Sequence, residues 1–181
     1  MPIDAEADLL DREEMELTES GRTEKAIATG RTLGRGLVGG LISTVVMTSF
    51  RMPIAHSLPP TSAFWARFVG DGEDSDYPLQ GLVLHLLYGM AGGGLFALLF
   101  EQRVTESGHM DEAYGTLLGT VYGLLLSEFG IHVVLKRVLR MELQSDERFV
   151  FHLSHLIYGV TLGAWSGSRA KHRRDEHAEG W

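Results

Sequence analysis

The chain has no cysteine among its 181 residues, which excludes disulfides, thiolate chemistry, Cys-based zinc sites and covalent c-type haem attachment. Lysine is almost as scarce, limited to Lys25, Lys136 and Lys171, and the net charge is −8. With no basic patch to neutralise phosphates, a nucleic-acid partner is not expected. An acidic, lysine-poor surface suits a solvent of high salt. The start of the chain lacks the basic and then apolar pattern of a secretory signal peptide. Enzyme signatures are also missing: there is no Gly-Lys-Ser/Thr phosphate cradle, no Gly-x-Ser-x-Gly and no His-Glu-x-x-His. No catalytic residue and no cofactor is therefore expected.

What is present is apolar length. The mean hydropathy of +0.01 averages polar ends with apolar middles. Residues 1–32 read as an acidic, solvated tail, with Asp8, Asp11, Glu13, Glu14, Glu16 and Glu19 crowded together and one frayed helix over 8–18. Residues 33–168 read as a membrane domain with spans over 34–54, 80–100, 113–135 and 149–168, each near the twenty residues needed to cross a hydrocarbon core. The first span reaches that length only if Arg51 snorkels at its end. Residues 169–181 form a charged tail. Between the first two spans, Pro59, Pro60, Phe64, Trp65 and Phe68 form an aromatic stretch that fits either the membrane interface or a packed loop. The acidic run Asp71 to Asp76 lacks the ligand series of an EF-hand and reads as a solvated loop.

A pentapeptide pattern recurs seventy positions apart, at His85-Leu86-Leu87-Tyr88-Gly89 and His155-Leu156-Ile157-Tyr158-Gly159. The first and third spans also align, with Gly36, Gly40, Thr48 and Phe50 opposite Gly115, Gly119, Ser127 and Phe129. An internal repeat of a two-helix unit follows, giving an all-α, four-transmembrane-helix bundle built from two tandem helical hairpins about a pseudo-twofold axis. Every span carries small residues at helical spacing: Gly36 and Gly40; Gly89 and Gly93; Gly115, Gly119 and Gly123; Gly159, Gly163 and Gly167. In lipid, such ridges let backbones approach closely, so these glycines are the expected packing positions of a glycine zipper.

Polar residues inside spans are costly and therefore functional candidates. His85, Glu128, His132, His152 and His155 fall at similar depths, and spacing alone makes them a cluster for an ion or proton path. His85, His155 and Glu128 together match the three ligands of an open metal centre, and the two histidines alone match the axial pair of haem b. The plain alternative is that each histidine hydrogen-bonds across the bundle. On an ideal helix Glu128 also points away from the Gly115, Gly119 and Gly123 ridge.

The Gly-rich first span, the Pro-Pro aromatic loop and the His-Leu-Leu-Tyr-Gly-x-x-x-Gly-x-Leu-Phe-Ala run starting at His85 resemble a family of small four-span membrane proteins of halophilic archaea, over about residues 34–167. That family has no assigned function, so the resemblance implies four spans and no activity. The expectation from sequence is an integral membrane protein, a non-enzymatic component in transport or membrane-complex assembly. The alternative is a haem- or metal-binding membrane redox protein using His85 and His155. The lipid bilayer, a homo-oligomer or a larger membrane complex are the expected partners. Both termini are placed in the cytoplasm by positive charge: Arg12, Arg22, Lys25, Arg31, Arg35, Arg103, Arg169, Lys171, Arg173 and Arg174 on that side against Arg51, Arg67, Lys136, Arg137, Arg140 and Arg148 on the other.

Overall fold

The computed structural model describes residues 3–54, 60–101 and 112–179, with side chains described over 18–54, 60–100 and 112–168. Helix α1 runs over Ile3–Arg51, α2 over Pro60–Phe68, α3 over Pro78–Phe96, α4 over Glu112–Phe129 and α5 over Ser145–Glu179. The expected acidic tail thus continues as helical backbone into the first span. The side chains of Asp8, Asp11, Glu13, Glu14 and Glu16, the dipeptide Leu58-Pro59, the connection containing Arg103, and the basic side chains from Arg169 onward lie outside the described residues.

Prolines set several boundaries. Pro53 biases the residue before it against helical geometry, and α1 stops at Arg51. Pro60 opens α2, and Pro78 opens α3, where the missing N–H costs nothing. Two helices end in wide π-type turns. Helix α3 passes into one over Ala97–Glu101, and α4 continues as one over Gly130–Leu139. The latter stops where Arg140 takes a left-handed conformation (φ 57°) and the Met141 N–H returns to the Leu135 carbonyl at 2.9 Å.

Three described helices are long and apolar enough to cross a membrane: Thr18–Arg51, Pro78–Phe100 and Glu112–Leu139. Large apolar side chains point outward along them, including Val38, Val45, Val83, Leu87, Leu117 and Leu125, which suits contact with lipid. The protein is therefore a helical, multi-pass membrane protein. The fourth expected span is corrected: residues 149–168 lie within the long helix α5, but His152, Ser154, His155, Thr161, Ser166 and Ser168 dilute its apolar character below that of a span. The four-span bundle of two tandem hairpins is corrected with it. Five helices are found among the described residues, and α2 is inserted between the first two long ones.

Helix α1 packs mainly on α3, and α4 on α5, with α1 also crossing α5. Where α1 meets α3, a Cβ on Gly40 would run into the Gly89 carbonyl oxygen and lie 3.0 Å from the Gly93 Cα. At the other crossing, a Cβ on Gly119 would run into the Gly159 carbonyl oxygen and lie 2.7 Å from the Gly163 Cα. The glycines act at these two pairwise crossings, which corrects the picture of a zipper running through one four-helix bundle. Met47, Phe96, Tyr122, Tyr158 and Leu162 form the central core. A second core of Ile131, Leu135 and Leu139 packs under α2 through Ala63 and Phe64.

Candidate functional site

The Arg51 end of α1, the first turns of α2, the stretch of α3 from Leu84 to Leu95, the last turns of α4 and the early turns of α5 meet around one cavity of about 340 Å³. This size falls in the ordinary range for small-molecule sites, about 300–1,000 Å³. Pro60, Thr61 and Phe64 of α2 line it on one side. Helix α2 is held there by two hydrogen bonds. The Thr61 hydroxyl donates to the Gly81 carbonyl at 2.7 Å, and Arg67 Nη1 donates to the Leu139 carbonyl at 3.0 Å. The second bond satisfies an acceptor freed where the α4 helix ends. The wide turn after α4 contributes Gly130, Val134 and Leu135 to the wall, so the local widening of that helix shapes the cavity.

The floor is built by two tyrosines. Tyr158 Oη donates to the Gly89 carbonyl at 2.7 Å, and Tyr122 Oη donates to the Gly92 carbonyl at 2.8 Å. Each bond ties a different helix to α3 and meets the hydrogen-bonding need of a buried phenol. The polar groups of the wall are Arg51, His85, His155, Thr48, Thr61, Tyr88 and Ser154. His155 Nδ1 lies 2.9 Å from the Phe151 carbonyl oxygen, which can only accept. The Nδ1 atom therefore carries a proton, and Nε2 is left as the other functional atom of the ring. The Phe151 and His155 rings also pack together, with centroids 4.3 Å apart. The Thr48 hydroxyl is buried and has no hydrogen-bond partner among the described residues. Arg51 lies close enough to act electrostatically on both His85 and His155.

The five candidates from sequence thus divide into two groups. His85 and His155 share the cavity; Glu128, His132 and His152 do not line it. Glu128 is 58 % exposed and stands on the outer surface. Its Oε2 lies 3.4 Å from His132 Nδ1, and its Oε1 lies 3.8 Å from His152 Nε2. His152 Nδ1 meets the Ser127 hydroxyl at 2.8 Å. A serine, a histidine and a carboxylate in a row resemble a nucleophilic relay, but Ser127 is fully buried and no substrate carbonyl can reach it. The single cluster of four histidines and one carboxylate is therefore not assembled.

The metal alternative falls with that separation. Among the described residues no group of three or more His, Cys, Asp or Glu side chains could hold a metal ion. The Asp71 to Asp76 turn is no exception: the Asp71 and Gly72 N–H groups donate to the Tyr77 hydroxyl, and the Glu73 N–H to Asp76 Oδ2, at 2.9–3.1 Å. The residue that sequence reasoning undervalued is Arg51. Its position at the end of a span suggests a snorkelling charge, whereas the structure sets it in the cavity wall.

No family model, curated protein or solved structure matches the chain. The resemblance to four-span proteins of halophilic archaea is corrected on that ground and on the three spans, and the halophilic reading goes with it.

Proposed function

We propose that the protein is a non-enzymatic membrane component that takes a small lipophilic molecule into the cavity between its helices, as part of a transport or hand-over process. One observation carries this reading: a 340 Å³ cavity with mostly apolar walls contains a minority of polar groups, Arg51, His85 and His155 among them. Binding sites for small molecules have this composition. Close glycine crossings and tyrosine hydrogen bonds frame the cavity with fixed backbone, so it is largely formed before any ligand arrives. Lining residues that are themselves exposed, Tyr88, Leu95 and Phe129, give such a ligand a route in from lipid. The exposed Glu128 face is where a second copy or a larger membrane complex would dock, because lipid solvates a carboxylate poorly.

The test is extraction of small molecules from the purified chain followed by mass spectrometry. Ala91 lines the cavity at an exposed position, so Ala91→Phe blocks the cavity without crowding the core. A lipophilic species bound to the wild type and missing from Ala91→Phe is the expected result. Identical extracts from the two proteins would refute the reading.

A further inference from the structure

We propose that the cavity ligand is a neutral lipophile carrying a hydroxyl group, and that His155 accepts the hydrogen of that group at Nε2. This rests on the cavity being a binding site. Two half-buried imidazoles, His85 and His155, stand in its wall. Among the described residues, neither ring nitrogen of His85 has a hydrogen-bond partner, and of the two in His155 only Nδ1 has one. Three ring nitrogens of one cavity are thus left for a ligand or for water.

The His155 ring is fixed from two directions. Its Nδ1 hydrogen is committed to the Phe151 carbonyl at 2.9 Å, and the ring packs on that of Phe151 with centroids 4.3 Å apart. With the proton on Nδ1, Nε2 keeps its lone pair and accepts. A second proton would place a charge among apolar walls, with the Arg51 cation close enough to oppose it. The group that satisfies Nε2 is therefore a donor. Ethers, esters, ketones and ionised acids bring no hydrogen to it; a hydroxyl does. A hydroxyl that donates to His155 also keeps lone pairs for the N–H of His85, which lies close enough for His155 to act on it electrostatically. A lipophile without the donor displaces water from Nε2 and returns no bond, so it loses affinity.

The experiment is equilibrium binding of radiolabelled para-nonylphenol to the full chain in phosphatidylcholine nanodiscs, with affinities referred to the concentration in the lipid. Its methyl ether, para-nonylanisole, and nonylbenzene serve as competitors. The ether keeps the oxygen and loses the hydrogen; nonylbenzene is smaller than either and excludes bulk as a cause. The inference expects the phenol to bind at least about tenfold more tightly than both. His155→Phe keeps an aromatic ring against Phe151 and removes Nε2. It should lower phenol affinity about tenfold or more, to that of the ether, and leave ether binding at the wild-type value, which also reports that the variant is folded. Ether and nonylbenzene binding to wild type as tightly as the phenol would overturn the hydroxyl assignment and leave the cavity reading standing, provided that Ala91→Phe abolishes binding of all three. That comparison needs no change at His155, so it decides the matter even if His155→Phe does not fold. A phenol preference that survives in folded His155→Phe would overturn the role of His155. If none of the three binds above the empty-disc level, or Ala91→Phe binds like wild type, the cavity reading fails and this inference with it.

Discussion

Tyr158 Oη donates a 2.7 Å hydrogen bond to the carbonyl oxygen of Gly89, joining the two copies of the His-Leu-x-Tyr-Gly pattern. The bond is one-sided. Tyr158 is 2 % exposed, and its counterpart Tyr88 is 56 % exposed. Tyr158→Phe should therefore cost about 0.5–1.5 kcal/mol, the usual net value of one hydrogen bond, and Tyr88→Phe almost nothing. Unfolding of both variants in detergent against denaturant checks this. Equal effects would show that the two tyrosines do equivalent work.

The same comparison shows how much was legible from sequence. The long apolar helices were, because periodicity and hydropathy are local properties that no tertiary contact has to supply. The glycine spacing reads as one zipper, whereas Gly40 and Gly119 sit at two separate pairwise crossings where backbones come close. Two other things were not legible. The polarity of α5 was outweighed by the repeat of His155 to Gly159, although His152, Ser154 and Thr161 share that helix. Whether Glu128 and His155 face the same space depends on how α4 is rotated against α5, which depth along a helix cannot fix. Glu128 does not line the cavity with His85 and His155.

Gly119→Ala should destabilise by about 1–3 kcal/mol, because the new methyl group meets backbone that cannot yield as a side-chain end can. Gly30→Ala is the control. It lies in α1 with nothing within 4 Å of its would-be Cβ, and should stabilise by about 0.5–1 kcal/mol through helix propensity. Denaturant unfolding of the pair should move in opposite directions.

Glu128→Gln should leave the content of bound lipophilic molecule at its wild-type value, because Glu128 is not part of the cavity wall. Its effect should be confined to the surface, where it pairs with His132 and His152. A loss of bound molecule in this variant, measured by extraction and mass spectrometry, would join the two polar groups that the structure separates.

Arg67→Ala removes the bond from α2 to the Leu139 carbonyl and leaves, among the described side-chain hydrogen bonds, that of Thr61 to Gly81, with the packing of Phe64, to hold the helix. Amide exchange across residues 60–68 should accelerate while exchange in α3 stays slow, since local opening follows the loss of local contacts. Unchanged protection in α2 would show that the apolar packing of Phe64 is sufficient by itself.

The central claim is that a lipophilic molecule occupies the space between Arg51 and Leu95, and site mapping with a photoactivatable fatty acid tests it most directly. The protein is labelled in membranes with a diazirine-bearing chain and the modified residues are identified by mass spectrometry. The account predicts labels on Leu126, Val134 and Leu135, which line the cavity and are buried or half-buried, suppressed by an excess of the unlabelled chain and by Ala91→Phe. Labels confined to outward residues such as Val45, Leu117 and Leu125, and unaffected by either treatment, would contradict it.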